Sequence, residues 1–285
     1  MSSAKYNEHP GLRWSTLAAG VTSSLQLDHE LRNPKPDMPY FAEGRALHVC
    51  VLQPHLFDLW PVVPARFATQ KGVSEKPEAQ EWMRAMKALG YEPMAPAHRE
   101  SALRMADAIR MHPLGRETLE LCEIRERPSF ADMPGVGAVK ECADLWGKAG
   151  ILADVKKSGN KSKGPFTVRS CIQAAVALHY PGQLDWYGRV KALCGETVNE
   201  WRLIFVDDRP PHDVIVLTLD DVWREYGKSL VDLALERYAE VREGRICGQA
   251  PGLVAAELPR YLVDDPANDM DLEGLGLEGV EDGGQ

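Results

Sequence analysis

The sequence predicts a mixed α/β fold, a central mixed sheet flanked by helices, and three observations predict it. The 285 residues are 44% apolar, enough for a sizeable core in one large domain or two small ones. Alternating apolar and polar residues between 124 and 156, interrupted by turn-like glycines, predict a β-meander. Helical spacing dominates before that stretch, and helices, two strands and one long helix follow it.

In chain order, residues 6–39 are polar and contain proline, with one short helical candidate over 14–25. A helix is predicted over 43–53, where Ala46, Leu47, Cys50 and Val51 recur at helical spacing, and 70–77 reads as a loop. Helices follow over 78–89 and 97–111, the second stopped by Pro113. Strands are predicted over 124–130, 136–145 and 151–156, the last two separated by Trp146-Gly147-Lys148-Ala149-Gly150. Helices over 166–178 and 183–193 flank a break at Pro181-Gly182. Strands over 201–206 and 214–219 are joined through Asp207-Asp208-Arg209-Pro210-Pro211. The last helix, 222–243, places Val222, Tyr226, Leu230, Leu233, Ala234, Arg237 and Val241 near one stripe, predicted to pack on the sheet.

The formal charge is −9, but eight acids and no Lys or Arg fall in 263–285, leaving −1 for residues 1–262. The expected organisation is therefore one domain over 1–262 and an acidic, disordered appendage over 263–285, suited to a basic partner or to competition with an anion for a basic surface. Net charge excludes only a uniformly basic nucleic-acid binder: between Lys140 and Arg169 seven cations face three acids. No apolar run reaches 18 residues and the first ten residues lack a signal-peptide core, so a soluble, cytoplasmic protein without a membrane partner is expected. Six scattered cysteines without a C-x-x-C pair suggest neither a disulfide framework nor a zinc or iron–sulfur site.

The chemistry-bearing stretch runs from Val139 to Asp144 and on through Asp154-Val155-Lys156-Lys157. Residues two apart on a strand share a face, so Asp154 and Lys156 project together while Val155 turns into the core and leaves its carbonyl available. If the two strands pair as a hairpin, Asp144 arrives beside Asp154. Two carboxylates and a main-chain oxygen suit Mg²⁺ or Mn²⁺, and an adjacent lysine can orient a water and stabilise charge growing on a phosphate. Alone, D-x-K is also the pattern of a solvated strand end. Upstream, however, Gly44-Arg45-Ala46-Leu47-His48 forms a G-x-x-x-H on a helix. Downstream, Gln183 and Tyr187 form a Q-x-x-x-Y whose polar tips share a helical face.

This ordered set, G-x-x-x-H, Asp, D-x-K and Q-x-x-x-Y, resembles the PD-(D/E)xK nuclease superfamily, in the branch of RecB-type nuclease domains and lambda-type exonucleases. It is most similar to the phage and prophage exonuclease VIII (RecE-type) nuclease domain. The likeness extends over roughly residues 6–262, through Tyr6-Asn7-Glu8-His9-Pro10, the segment 41–54, Ala106 to Pro113, and Leu258-Pro259-Arg260-Tyr261. It implies a restriction-endonuclease-like core and a Mg²⁺-dependent 5′-to-3′ double-strand DNA exonuclease, with Mn²⁺ able to substitute. Such an enzyme generates 3′ overhangs for phage-type recombination. His48, Asp144, Asp154 and the Val155 carbonyl would hold the metal, Lys156 would position the attacking water, and Gln183 and Tyr187 would fix the geometry or touch the DNA backbone. Implied partners are double-stranded DNA ends, a RecT- or Beta-like single-strand annealing protein, and further copies of the chain in a trimeric or tetrameric ring, in a bacterial host cell. Relatives often read Arg-Pro-Asp where this chain has Cys142-Ala143-Asp144, which removes a cation beside the site.

Arg45, Lys157, Lys161, Lys163 and Arg169 are candidate DNA-binding cations, the three lysines lying in or beside a loop that follows the D-x-K strand. A 5′-phosphate pocket could draw on Arg13, Ser15, Arg45 or Arg169. Glu120 or Glu123 could add a carboxylate, although both read first as a solvated helix end. His55, His98, His112, His179 and His212 fit no ligand spacing. The rival readings are a RecB-type nuclease of other polarity or endonucleolytic habit, whose iron–sulfur form is disfavoured by the isolation of Cys247, and a catalytically silent DNA-binding scaffold.

Overall fold

The computed structural model describes residues 6, 8–33, 41–69, 72–89, 91–158 and 164–249. Lys161, Lys163, the segment 258–261 and the acidic stretch 263–285 lie outside these residues.

The chain opens with α1 (Trp14–Leu17), a 3-10 turn (Ala18–Val21) and α2 (Ser24–Arg32). The single helix expected over 14–25 is thus broken, because Ser23 adopts an extended backbone and its hydroxyl accepts the Gln26 N–H, starting a new helix. Then come α3 (Phe41–Leu52), α4 (Pro54–Phe57), the two-residue strands β1 (Ala68–Thr69) and β2 (Gly72–Val73), α5 (Pro77–Ala88) and α6 (Pro96–Met111). The expected loop over 70–77 therefore carries half of a minimal hairpin. Pro113 does not leave the chain coiled; it opens α7 (Pro113–Leu121), where a proline lacks only an N–H that would have no helical partner. The His112 ring accepts the Gly115 N–H at 3.2 Å and caps this helix.

The sheet follows, with β3 (Ile124–Met133), β4 (Gly137–Gly147) and β5 (Ile151–Ser158), then α8 (Val168–Ala177) and α9 (Tyr180–Leu193), then β6 (Glu200–Asp207) and β7 (Val214–Leu219). Its spatial order is β3-β4-β5-β6-β7, with β5 parallel to β6 and the other neighbours antiparallel. The mixed sheet comes from connection length: tight turns join β3, β4 and β5, whereas two helices carry the chain from β5 to β6.

Alternation along β5 separates two cores. Ala153 and Val155 pack with Ile204 and Val206 against Ala46 and Cys50 of α3 and Met105 and Ile109 of α6. Leu152 packs on the opposite face with Leu203 and Phe205 against Cys171 and Ala175 of α8 and Leu184 of α9. Each Val, Leu, Ile, Met or Phe among them contributes about 1.5–3 kcal/mol when fully buried. Pro181 and Gly182, expected to break the chain, lie in the first turn of α9, and the break falls instead at His179, whose φ is +55°. Glycine is required at 182 because a Cβ there would sit 2.5 Å from the Trp14 ring.

The last helix, α10 (Asp221–Arg242), corrects the expected stripe. Leu230, Val231 and Ala234 are buried against Trp14, Leu17 and Leu27 and against Trp186 and Val190 of α9, while Val222 is exposed. It packs chiefly on α9, α2 and the 3-10 turn, and touches the sheet at β7. Gly227 permits this approach, since a Cβ there would lie 2.5 Å from the Pro181 carbonyl oxygen.

Candidate active site

The β4–β5 ladder pairs Gly147 with Ile151, Trp146 with Leu152 and Leu145 with Ala153, and then stops. The next register step would pair Asp144 with Asp154. There the strands part, and the Val155 N–H, left without a strand partner, donates to Asp144 Oδ2 at 2.8 Å. Because the N–H and C=O of one strand residue face the same neighbour, the Val155 carbonyl looks into the same gap. Its side chain is buried in the α3-facing core.

Asp154 and Lys156 project together on the α9 side. Lys156 Nζ lies 2.5 Å from Asp154 Oδ2 and donates to Gln183 Oε1 at 2.9 Å. The Gln183 amide nitrogen donates to Asp154 Oδ1 at 2.9 Å and to the Tyr187 hydroxyl at 2.8 Å. One glutamine on α9 therefore holds both halves of the D-x-K pair, and Tyr187, one turn on, fixes that glutamine. Lys156 also sits 4.2 Å from the centroid of the Tyr180 ring.

On the other side of Asp144, His48 of α3 brings Nδ1 to 3.3 Å from Oδ1. Gly44, one turn earlier, has nothing within 4 Å of a built Cβ, so the helix surface leading to His48 is uncovered by the described residues. The structure adds one residue the sequence reading missed. Glu126 lies between the β3–β4 pairs Arg125–Leu145 and Arg127–Ala143, hence across from Asp144, and its φ of +45° breaks the ladder there. His48, Glu126 and Asp144 each offer a ligand atom within 4.8 Å of one another. The signal that could have found Glu126 was register: once Asp144 is the site residue, its cross-strand neighbour becomes a candidate. Glu120 and Glu123 instead pair with Arg116 and Lys148.

Charge in this cluster is strongly coupled. Burial and then Asp144 push the Asp154 carboxyl up to about 6. Burial also opposes ionisation of Asp144, but His48, Lys156 and the Val155 N–H outweigh it and hold that carboxyl below its ordinary range. Burial disfavours the His48 imidazolium, yet Asp144 raises it to about 9. Three carboxylates thus face one lysine and one histidine, an excess of negative charge that a cation would neutralise. Carboxylate oxygens with one imidazole suit Mg²⁺ or Mn²⁺. His48, Glu126 and Asp144 are arranged to hold such an ion, while Asp154 joins only if Lys156 releases Oδ2.

The remaining candidates are dispersed. Lys157 Nζ lies 2.6 Å from Glu43 and 3.6 Å from Asp208, and Arg45 pairs with Glu92 at 3.2 Å. Arg169 is exposed on α8. Arg13 and Ser15, by contrast, line a cavity of about 250 Å³ together with Tyr6, Gln183 and Tyr187.

No protein-family profile matches the chain, and no curated protein matches it. Among solved structures, its fold resembles that of a candidate exonuclease from Eubacterium rectale, with a TM-score of 0.59 and 12% identity over 93% of this chain and 98% of that one. A phage-related exonuclease from Haemophilus somnus aligns at 12% identity over 85% and 99% of the two chains, with a TM-score of 0.35. An alkaline exonuclease from Laribacter hongkongensis aligns at 16% identity over 61% and 86%, with a TM-score of 0.29. The fold comparison rests on the first, and it agrees with the restriction-endonuclease-like mixed sheet expected from the sequence. Among the described residues no helix is long and apolar enough to cross a membrane.

Proposed function

We propose that the chain is a metal-dependent deoxyribonuclease, a 5′-to-3′ exonuclease that digests duplex DNA from its ends and leaves 3′ single-stranded overhangs. The observation that carries this reading is the parting of β4 from β5 at Asp144 and Asp154, with Lys156 held beside them by Gln183. The resemblance of the fold to a candidate exonuclease supports it.

His48, Glu126 and Asp144 would hold Mg²⁺, or Mn²⁺ in its place. The ion would lower the pKa of a water and polarise a phosphate oxygen. Lys156 Nζ, fixed between Asp154 and Gln183, donates to the attacking water or to the phosphate oxygen on which charge grows. Gln183 and Tyr187 keep that ammonium from swinging into solvent. Arg13 and Ser15, in the cavity that Gln183 and Tyr187 also line, would receive a 5′-phosphate. A 3′ overhang is what a single-strand annealing protein binds, and a ring of copies around the duplex would convert weak contacts from each chain into processive digestion.

The test is digestion of linear duplex labelled separately at each 5′ and 3′ end, with Mg²⁺ and with EDTA. The expected result is Mg²⁺-dependent release of the 5′ label first, with covalently closed circles uncut. Cutting of closed circles overturns the exonuclease, early release of the 3′ label overturns the polarity, and no metal-dependent release at all overturns the nuclease.

A further inference from the structure

A second cavity, also about 250 Å³, lies beside α8 and one ring away from Lys156. Phe166, Tyr180 and Phe205 supply aromatic walls, and Lys157, Ser158 and Arg209 also line it. Tyr180 is shared between the two places: its ring carries Lys156 4.2 Å from its centroid and stands 6.1 Å from the ring of Phe205. Arg209 is held in place. Its Nε and Nη2 each donate to one oxygen of Asp207 at 3.0 Å, and Nη1 donates to the Gly164 carbonyl at 3.4 Å. Three of its five N–H groups are engaged, which leaves two for a ligand acceptor.

We propose that this cavity receives a single unstacked nucleobase, that of the terminal nucleotide, whose 3′-side phosphate lies at Asp154 and Lys156; the proposal rests on the nuclease reading. Size, chemistry and place agree. The volume falls below the range of about 300–1,000 Å³ usual for drug-sized ligands, so it suits one heterocycle and not a base pair. Aromatic side chains offer faces on which a base stacks, whatever the base. A bare phosphate fits less well, because both cations in the lining already have carboxylate partners, Lys157 with Glu43 and Asp208, and Arg209 with Asp207. A base stands one sugar away from its phosphate, and a single tyrosine ring separates Lys156 from the cavity. The terminal base pair therefore opens before cleavage, and binding of the freed base offsets the cost of unstacking it.

The test is equilibrium dialysis of the full chain, in Mg²⁺, against deoxyadenosine 5′-monophosphate and against deoxyribose 5-phosphate. The nucleotide should bind at least about tenfold more tightly, equivalent to about 1.4 kcal/mol. Phe166→Leu should abolish that preference and leave sugar phosphate binding unchanged. Equal binding of the two by the wild-type chain overturns the proposal, as does an intact preference in folded Phe166→Leu. A readout that needs no variant is digestion of duplexes ending in an abasic nucleotide. Wild-type rates should fall about tenfold, and equal rates on abasic and ordinary ends overturn the base subsite while leaving the nuclease intact. A base preference in dialysis with no digestion of any duplex overturns the nuclease reading instead.

Discussion

Two clusters of buried charge sit three residues apart on β4, around Glu141 and around Asp144. Glu141 meets Lys191 at 3.1 Å and accepts the Ala143 N–H at 2.7 Å, with neither side chain of the pair more than 1% exposed. Lys191 also reaches Glu196 and lies over the Trp146 ring. The Asp144 cluster is less deeply buried, with the His48 side chain 28% exposed, and holds an excess of carboxylates where the β3–β4 ladder skips Glu126 and the β4–β5 ladder has just ended. A balanced ion pair inside a continuous ladder is a structural solution. Unbalanced charge where the backbone also opens marks a place for something the chain does not itself supply.

The sharpest way to break this contrast is Asp154→Asn. Cleavage of linear duplex in Mg²⁺ should fall by about 10²–10⁴-fold, while the metal-free protein loses the pH dependence of stability that the Asp154 carboxyl confers. The sign follows from the raised carboxyl. With a folded pKa of about 6 against an ordinary value of about 3.9, the folded chain binds the proton more tightly, and stability falls as pH rises between those values. The neutral amide removes that slope, and denaturant melts of wild type and variant at pH 4 and pH 7 check it. An unchanged slope in Asp154→Asn would mean that the Asp144 cluster, like the Glu141 pair, holds its charges in balance.

Lys191→Met should do the reverse, destabilising the fold by about 3–5 kcal/mol by leaving Glu141 buried without its cation. The double variant Glu141→Leu with Lys191→Met should recover most of that loss in the same melts. Smaller is the pH effect at His48. Its pKa, raised to about 9, gives stability that is fully present below the ordinary histidine value of about 6.5 and is lost as pH rises through about 9. In EDTA, the melting temperature of the wild-type chain should drop over that interval more than that of His48→Gln. Smallest is Gly44→Ala, which should raise stability by about 1 kcal/mol, because the helix gains propensity and the Cβ meets none of the described residues. Gly44→Trp at the same uncovered surface should fold yet cleave duplex more slowly, and undiminished cleavage would show that DNA does not approach over α3.

Local patterns made much of this legible in advance. Alternation at 151–156 placed Asp154 and Lys156 on one face because strand periodicity depends only on neighbours in sequence, and the i, i+4 spacing of Gln183 and Tyr187 did the same on α9. What depended on distant partners was missed. Pro113 ends α6 at Met111 as expected but also opens α7, and Pro181, read as a break, lies in the first turn of α9, since a proline blocks the preceding turn but suits the first one. Glu126 drew no attention because its place opposite Asp144 is set by register across a turn. Arg45 and Lys157 looked like free cations until Glu92, Glu43 and Asp208 arrived from other elements.

The anchoring of the N-terminal segment carries a consequence for biosynthesis. Leu12 bridges to Val139 on β4, and the buried Lys140 ammonium donates to the Tyr6 and His9 carbonyls, both at 2.6 Å. Tyr6 and Arg13 line the cavity beside Gln183, so these residues flank the proposed site. Yet they leave the ribosome well before β4, and their partners there follow more than 120 residues later. Docking of this segment must close that long loop, which delays it relative to the local helices. A nascent chain stalled before β4 should therefore expose residues 6–13 to protease, and release of the completed chain should protect them.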